Sequence, residues 1–290
     1  MSALLDIRDL ELRLQAQPPV RLLRRVSLQV AAGQIVGLVG ESGAGKTMVS
    51  RVVLGIAPEN TRVTHGSVVF DGRDITHLSE TQRRPLLGRE IAFIPQNPMT
   101  ALNPVERIGP QITDVLRMHL NLDRAAARER ALALLREVHL RDPERLLRQY
   151  PHELSGGMRQ RVLIAIAFSC KPKLVIADEP TTALDVTVQK QILQLIRQLQ
   201  RNSGTAMLFI THDLGVVAKL CDHVVVMHGG RVLEAAPASQ LFASPDHAYT
   251  RALFAATPRF DRPGDELKPI PAVLTQQLAD EARMLDARDA

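Results

Sequence analysis

The stretch QIVGLVGESGAGKT, residues 34–47, decides the fold of this chain. Its first half is a short apolar run ending at Gly40, which is typical of a buried strand in a sheet covered on both faces. Its second half, GESGAGKT, matches the pattern G-x-x-x-x-G-K-[ST] in full, and helical spacing of apolar residues follows over residues 46–56. A strand, a glycine-rich loop and a helix in this order predict a phosphate-binding loop within an α/β fold.

Each residue type in this loop suits a bound phosphate chain. The three glycines let the backbone curl so that successive N–H groups face inward, and the next helix adds the partial positive charge of its N-terminus. Lys46 is expected to reach the β- and γ-phosphates of a nucleotide, and the Thr47 hydroxyl to ligate Mg²⁺. We therefore predict that ATP and Mg²⁺ are bound by Gly40, Glu41, Ser42, Gly43, Ala44, Gly45, Lys46, Thr47 and Met48.

Two carboxylates end a later apolar strand, in the sequence LVIADEP at residues 174–180. With a phosphate-binding loop upstream, the acid at such a strand end holds Mg²⁺, so we assign that role to Asp178. Glu179 is the predicted catalytic base, because it could orient or deprotonate the attacking water. His212, which we place at the end of another buried strand in the sequence FITHD, is predicted to contact the γ-phosphate and help position the water.

The composition indicates which classes of binding partner suit this chain. The net charge of +5 and the sequence pI of about 9.6 would suit nucleic acid, anionic lipid or nucleotide. Aromatic residues make up 3% of the chain and tryptophan is absent, which argues against a stacking platform for single-stranded nucleic acid. The two cysteines are far apart and imply neither a disulfide nor a metal site. No stretch approaches the roughly 18 to 20 apolar residues of a membrane span, and the N-terminus does not resemble a signal peptide.

Helical segments alternate with buried strands, which predicts a mostly parallel α/β sheet. Alternating residues at 4–14 and 26–30 add an antiparallel β part, and a hairpin is predicted around Gly229-Gly230. The helix-rich stretch from about 97 to 160 is predicted to be an inserted helical subdomain. We accordingly divide the chain into an ATPase domain at 1–240 and a proline-containing C-terminal extension at 241–290.

The segment LSGGMRQR, residues 154–161, carries a second glycine motif. Ser155 is a good N-cap for the apolar helix that follows, and two glycines leave backbone N–H groups exposed for an anion. The segment resembles the signature of the ABC (ATP-binding cassette) ATPases. The order of phosphate loop, Gln96, signature, LVIADEP, ALD and His212 is that of the same family over most of residues 4–240.

This resemblance implies an architecture and further roles. ABC ATPases dimerise head to tail, so Ser155, Gly156 and Gly157 would contact the γ-phosphate bound by the partner subunit. Gln96 resembles the glutamine that touches Mg²⁺ and senses the membrane partner. Asp185, in TTALD, resembles the residue that links the two sites across the dimer.

The adenine contact departs from the family pattern. ABC ATPases usually place an aromatic residue near the start of the domain to stack on adenine, but the matching stretch at residues 15–24, QAQPPVRLLR, contains none. We expect an apolar residue such as Val20 or Leu22 to take its place, with weaker discrimination among bases.

Two further segments resemble one branch of the family, the oligopeptide, dipeptide and nickel importers. They are PQNPMTALNPVERIGPQI at 95–112 and SPDHAYTRALFAATP at 244–258, in which Ala248 replaces the usual proline. The resemblance implies two membrane-spanning permease subunits, an extracytoplasmic substrate-binding protein and a second ATPase subunit at the cytoplasmic face of the bacterial inner membrane. A heterodimer is favoured, with a homodimer as the alternative. The tail has no cysteine, so no iron–sulfur cluster is expected.

Other functions stay open at this point. Peptides are the expected cargo, with nickel, metal chelates and opine-like compounds as alternatives. An ABC ATPase acting on nucleic acid is a more distant alternative, because its usual zinc-binding cysteine clusters or long coiled coils are missing. Strong salt-dependent binding to nucleic acid would revive that alternative.

Overall fold

The computed structural model describes residues 3–182, 184–257 and 268–288, which belong to two compact units. The first unit comprises Met1–Glu80 and Leu208–Ala290, and the second comprises Thr81–Met207. Among the described residues, none of the helices has the length and apolar character needed to cross a membrane.

The helices and strands follow one another in this order. Residues 3–80 form β1 (Ala3–Leu14), β2 (Val20–Ala31), β3 (Ile35–Val39), α1 (Lys46–Leu54), β4 (Thr61–Phe70) and β5 (Arg73–Asp74). The middle of the chain forms α2 (Glu80–Arg83), β6 (Ile91–Ile94), α3 (Pro98–Ala101), α4 (Ile108–Leu120), α5 (Arg124–Glu137), α6 (Pro143–Leu146), a 3-10 turn at Pro151–Glu153, α7 (Gly156–Phe168), β7 (Leu174–Asp178) and α8 (Val186–Ser203). The last part forms β8 (Ala206–Ile210), α9 (Leu214–Leu220), β9 (His223–His228), β10 (Arg231–Pro237), α10 (Ala238–Ala243), α11 (Ala248–Ala256) and α12 (Ala272–Arg288).

The first unit contains the predicted antiparallel β part, a four-stranded sheet with the order β2-β1-β4-β5. In β2, buried apolar residues alternate with exposed polar ones from Val26 to Val30, as expected for a strand with one face on the core. The strand is longer than the predicted 26–30, because Leu14 of β1 pairs with Val20 and continues the ladder through residues without clear alternation.

The first unit also contains parallel strands and the predicted hairpin. β3 is buried at all five residues and pairs in parallel with β9, from Val36 opposite His223 to Val39 opposite Val226. β9 and β10 are antiparallel, and both residues of the Gly229-Gly230 turn between them have positive φ. Together these strands fix the end of β3, where the glycine-rich loop begins.

The second unit combines two parallel strands with the predicted helical insertion. β6 and β7 pair from Ile91 opposite Leu174 to Ile94 opposite Ala177. The helices between these strands extend to Phe168, beyond the predicted boundary near 160. α8 buries Ile192, Leu195 and Leu199 along one face, as expected for an amphipathic helix.

The C-terminal helices belong to the first unit. In α12, Leu278 and Ala282 are buried, and Asp286 forms an ion pair with Arg24 of β2 at 2.9 Å. Glu281 of the same helix pairs with Arg231 of β10 at 2.5 Å. The division at residue 241 stays a prediction, and Pro258 and Pro263 of the predicted extension lie outside the described residues.

Candidate ATP-binding site

The glycine-rich loop joins β3 to α1 in a shape that only glycine allows at two positions. Gly40 has φ +152°, and a Cβ atom there would lie 2.2 Å from the carbonyl oxygen of Met227 in β9. Gly45 has φ +100° and is the N-cap of α1. Both angles lie in the region that residues with a side chain rarely adopt, so the loop can pass this close to β9 only with glycine at these positions.

Lys46 lies inside the loop. Its side chain is 6% exposed, and its ammonium group donates to the carbonyl oxygens of Gly40 and Glu41, both at 2.8 Å. The loop therefore curls around a buried positive charge. This arrangement is what an anion with several negative oxygens requires.

The N-terminus of α1 faces the same loop. Among the described residues, no side chain caps it, since Gly45 offers no side-chain acceptor. The first N–H groups of a helix have no partner within the helix, and the helix dipole gives this end partial positive charge. The loop and α1 thus have the geometry that suits a bound phosphate, and the individual binding residues stay a prediction.

Glu41 of the loop contacts the C-terminal part of the chain. Its Oε2 atom accepts a hydrogen bond from the hydroxyl of Tyr249 in α11 at 3.0 Å. The Nδ1 atom of His228, the last residue of β9, lies 3.6 Å from the same oxygen. Burial, followed by the contact with Glu41, raises the pKa of Tyr249 above its ordinary value. The sequence analysis singles out residues 244–258, which include Tyr249, but it does not predict a contact between them and the loop.

His212 is exposed and does not end a strand, contrary to prediction. β8 stops at Ile210, because Thr211 starts a turn in which its hydroxyl accepts from the N–H of Asp213 at 3.0 Å. The N–H of Thr211 donates to the carbonyl of Leu38 in β3 at 3.3 Å. His212 therefore follows directly on a residue bonded to the strand that leads into the loop.

In the second unit, Glu179 follows β7 with an unusual backbone. Its φ is +47°, a left-handed conformation that is costly for a residue with a side chain. The carboxylate oxygen Oε2 accepts from the amide Nε2 of Gln96 at 3.0 Å and from the hydroxyl of Thr182 at 2.9 Å. The structure thus brings together Gln96 and Glu179, and it adds Thr182, which was not predicted.

Asp178 is the last residue of β7 and is 5% exposed. A buried carboxylate is costly unless it is paired with a donor or a cation. Its position at the carboxyl end of a buried parallel strand is the one at which such folds place their ligands. Asp178 and Glu179 are therefore neighbours with different surroundings, the first buried and the second half-buried.

The signature segment begins α7. Ser155 is its N-cap, and the hydroxyl accepts from the N–H of Met158 at 3.3 Å. A Cβ on Gly157 would lie 2.9 Å from Val188 of α8, so this glycine is needed for packing. Gly156 is exposed, and the nearest described atom to a Cβ there would be 3.8 Å away, in Leu184. Among the described residues, a side chain at Gly156 would meet only this distant contact, so its absence leaves the backbone at the start of α7 accessible.

Asp185 is the N-cap of α8. Its Oδ1 atom accepts from the N–H groups of Thr187 at 3.0 Å and of Val188 at 2.9 Å. The side chain is exposed and so can also face another subunit. Near the predicted adenine contact, Val20 is 47% exposed at the start of β2 and Leu22 is half-buried.

Comparison with known proteins gives this arrangement a family. A family model described as ABC transporter matches residues 23–182, more than half of the chain. The chain belongs to the ABC transporter family. A second model, described as the C-terminal region of oligopeptide/dipeptide transporters, matches residues 233–281 of this ABC ATPase.

Several curated proteins and solved structures resemble the ABC ATPase. The probable peptide ABC transporter ATP-binding protein y4tR of Sinorhizobium fredii is 51% identical over 257 residues, covering 88% of this chain and 77% of the relative. The dipeptide transport ATP-binding protein DppD of Escherichia coli is 43% identical over 273 residues, covering 94% and 84%. The dimeric structure of MJ0796, a bacterial ABC transporter cassette, superposes with a TM-score of 0.72 at 25% identity, covering 81% of this chain and 98% of that one. The predicted fold class is therefore confirmed.

The residues predicted to ligate Mg²⁺ carry side chains of the kind that this ion prefers. The candidate ligands are the Thr47 hydroxyl, the Asp178 carboxylate and the Gln96 amide oxygen, all of them hard oxygen donors. Since Nε2 of Gln96 donates to Glu179, the side chain presents its oxygen as the remaining coordinating atom. These residues belong to two units, and their assignment to one Mg²⁺ ion stays a prediction.

Proposed function

We propose that this chain is the ATP-hydrolysing subunit of an ABC importer for di- and oligopeptides. The observation that carries the cargo class is the match of residues 233–281 to the C-terminal region of oligopeptide/dipeptide transporters. The names of the relatives, a probable peptide transporter subunit and a dipeptide transporter subunit, support the same cargo. Nickel, metal chelates and opine-type compounds are the alternatives.

The chemistry is assigned to residues of both units. The loop from Gly40 to Met48 binds the phosphates through its N–H groups and the ammonium of Lys46. Mg²⁺, which neutralises phosphate charge when it is bound, would be held by Thr47, Asp178 and Gln96. Glu179 accepts the proton of the attacking water, and His212 contacts the γ-phosphate.

The surroundings of Glu179 support its role as general base. Gln96 and Thr182 both donate to Oε2 and so hold the carboxylate in one orientation. The positive φ of Glu179 fixes the direction in which the side chain leaves the backbone. A base held by two donors and a constrained backbone keeps its orientation between turnovers, which is what proton transfer requires.

The subunit is proposed to act as one half of a head-to-tail dimer. Ser155, Gly156 and Gly157 present the open N-terminus of α7, which would contact the γ-phosphate held by the partner. Asp185 lies exposed at the start of α8 and would link the two sites. A heterodimer with a second ATPase subunit is favoured over a homodimer.

The remaining partners follow from the importer assignment. Two permease subunits would form the membrane path, and an extracytoplasmic binding protein would deliver the cargo. The chain would lie at the cytoplasmic face of the bacterial inner membrane as a peripheral subunit. No interaction with nucleic acid is proposed.

The test is uptake of labelled di- and oligopeptides, with nickel in parallel, by cells whose only copy of this subunit is wild type or Glu179→Gln. We expect peptide uptake to be lost with Glu179→Gln, because an amide cannot accept the proton of water. The purified variant should still bind ATP and hydrolyse it at least about a hundredfold more slowly.

The matched control is Glu59→Gln, which makes the same chemical change at an exposed loop residue and should retain uptake. Loss of nickel uptake alone would keep the ATPase role and change the cargo. Unchanged uptake of both substrates would contradict the importer assignment, and wild-type turnover by the purified variant would remove Glu179 from the role of base.

A further inference from the structure

The hydroxyl of Tyr249 donates to Glu41, a residue of the phosphate-binding loop 208 positions away, at 3.0 Å. Tyr249 is completely buried, whereas the Glu41 side chain is 43% exposed. A buried hydroxyl needs a partner, and here the partner is a carboxylate of the loop. The C-terminal part of the chain is therefore bonded directly to the loop that binds ATP.

His228 completes the contact. Its Nδ1 atom lies 3.6 Å from the same carboxylate oxygen, and its ring centroid lies 4.6 Å from that of Tyr249. His228 is the last residue of β9, next to the hairpin turn whose Gly230 N–H donates to the carbonyl of Ala44 in the loop at 3.0 Å. We call Glu41, His228 and Tyr249 the Glu41 cluster.

The position of Tyr249 is fixed independently of Glu41. The carboxylate of Glu234 in β10 accepts from the N–H groups of Asp246 at 2.8 Å and of His247 at 3.1 Å, which ties the start of α11 to β10. The Nδ1 atom of His247 accepts from the N–H of Tyr249 at 3.0 Å and caps the helix. Because its helix is held in this way, Tyr249 stays in place, and its hydroxyl can hold Glu41 of the loop in position.

Glu41 in turn is part of the cradle for the lysine. Its backbone carbonyl accepts from the Lys46 ammonium at 2.8 Å, while its side chain accepts from Tyr249. A shift of Glu41 would therefore move the carbonyl oxygen that accepts a hydrogen bond from the Lys46 ammonium, the group expected to contact the phosphates. The same residue joins the C-terminal helix to the nucleotide cradle.

We propose that Tyr249 is a positioning residue for ATP binding, which holds Glu41 so that the loop keeps the shape that accepts a triphosphate. The inference rests on the proposed ATP-binding role of the loop. It assigns to α11, in the region that matches the oligopeptide/dipeptide transporter model, a task in the ATPase cycle itself.

The test is a double-mutant cycle on the full-length chain, with the Kd for Mg-ATP measured by calorimetry and KM and kcat by phosphate release. Tyr249→Phe keeps the ring and removes the hydroxyl. In the wild-type background it should weaken ATP binding about threefold to tenfold, raising KM more than it lowers kcat. In the Glu41→Ala background the same substitution should have no further effect, because the acceptor is already gone.

Two further variants keep the result interpretable. Tyr150→Phe removes the hydroxyl of the other tyrosine in the chain and should leave the Kd unchanged. Glu41→Gln retains an acceptor oxygen, so Tyr249→Phe should still weaken ATP binding in that background if Glu41→Ala proves too unstable to study.

Equal weakening by Tyr249→Phe with and without the Glu41 side chain would overturn the inference, since the hydroxyl would then act through general stability. Unchanged affinity in the wild-type background would overturn it as well. Failure of the wild-type chain to bind ATP would instead overturn the proposed function, so the two failures are distinguishable.

Discussion

Single residues of the site carry features that the sequence does not reveal. The sequence contains a carboxylate at position 179 but does not predict its φ of +47°, because asparagine and glycine are the residues that usually adopt such an angle. The backbone conformation comes from the turn after β7, where the N–H of Thr182 donates to the carbonyl of Glu179 at 3.3 Å. The contact between Glu41 and Tyr249 is equally hidden, since no local pattern connects residues 208 positions apart.

Tyr249 allows a prediction about pH. Its pKa is raised in the fold, first by burial and then by Glu41, so the neutral phenol is favoured there. The stability that this shift contributes is fully present below the ordinary tyrosine pKa near 10 and is lost as pH rises through the higher pKa of the folded chain. In the Tyr150→Phe variant, which retains one tyrosine, phenolate absorbance should appear at higher pH in the folded chain than in denaturant.

The comparison between folded and denatured chain is the control for that titration. Two coincident curves with midpoints near pH 10 would show that Tyr249 is neither buried nor bonded to a carboxylate in solution. Tyr249→Phe should remove the absorbance change entirely when it is combined with Tyr150→Phe.

At the scale of elements, the sequence predicts strands and helices well where the apolar pattern of their own residues determines their position. β3, α1 and β7 appear where apolar runs or helical spacing place them. The start of β2 at Val20 was missed, because it depends on pairing with Leu14 of β1 rather than on its own alternation. The end of β8 was misplaced, because the turn at Thr211 is a local hydrogen bond that ends an otherwise apolar run.

The start of α8 gives a prediction about stability. Asp185 caps this helix, so Asp185→Ala should lower the free energy of unfolding by about 1 kcal/mol. Asp185→Asn retains an acceptor of similar capping strength and should cost much less. Urea unfolding of the two variants measures the difference.

The pair of variants also separates two roles of Asp185. Loss of ATPase activity in Asp185→Asn with unchanged stability would support the proposed link between the two sites of a dimer. Equal destabilisation by both substitutions would contradict the capping role of the side chain.

At the scale of the whole molecule, the chain contains a phosphate-binding loop and a signature that the head-to-tail model pairs with a second subunit. The sequence could predict this from the order of the motifs, and the open N-terminus at Gly156 supports it. The helical insertion was predicted from the helix-rich stretch at about 97 to 160, and the last helix before β7 ends at Phe168. The adenine contact stays a prediction, with Val20 exposed at the first residue of β2.

The dimer model predicts association that depends on ATP. In the homodimer, the alternative to the favoured heterodimer, Glu179→Gln should roughly double in mass on adding Mg-ATP, as measured by light scattering, because two bound nucleotides would be held between loop and signature. Adding Ser155→Arg to that variant should abolish the change, since an arginine there would occupy the place of the γ-phosphate. Association that persists in the double variant would contradict the role of the signature, and none in Glu179→Gln would assign the second position to a different chain.

The hydrogen bond between Tyr249 and Glu41 also sets a condition on how the chain can change over evolutionary time. Once one partner has been lost, the other can be substituted at lower cost, so the two are expected to be gained and lost together. An extension built in this way is not a detachable module. Exchanging this extension between related ATPases would succeed only when the matching loop residue is transferred as well.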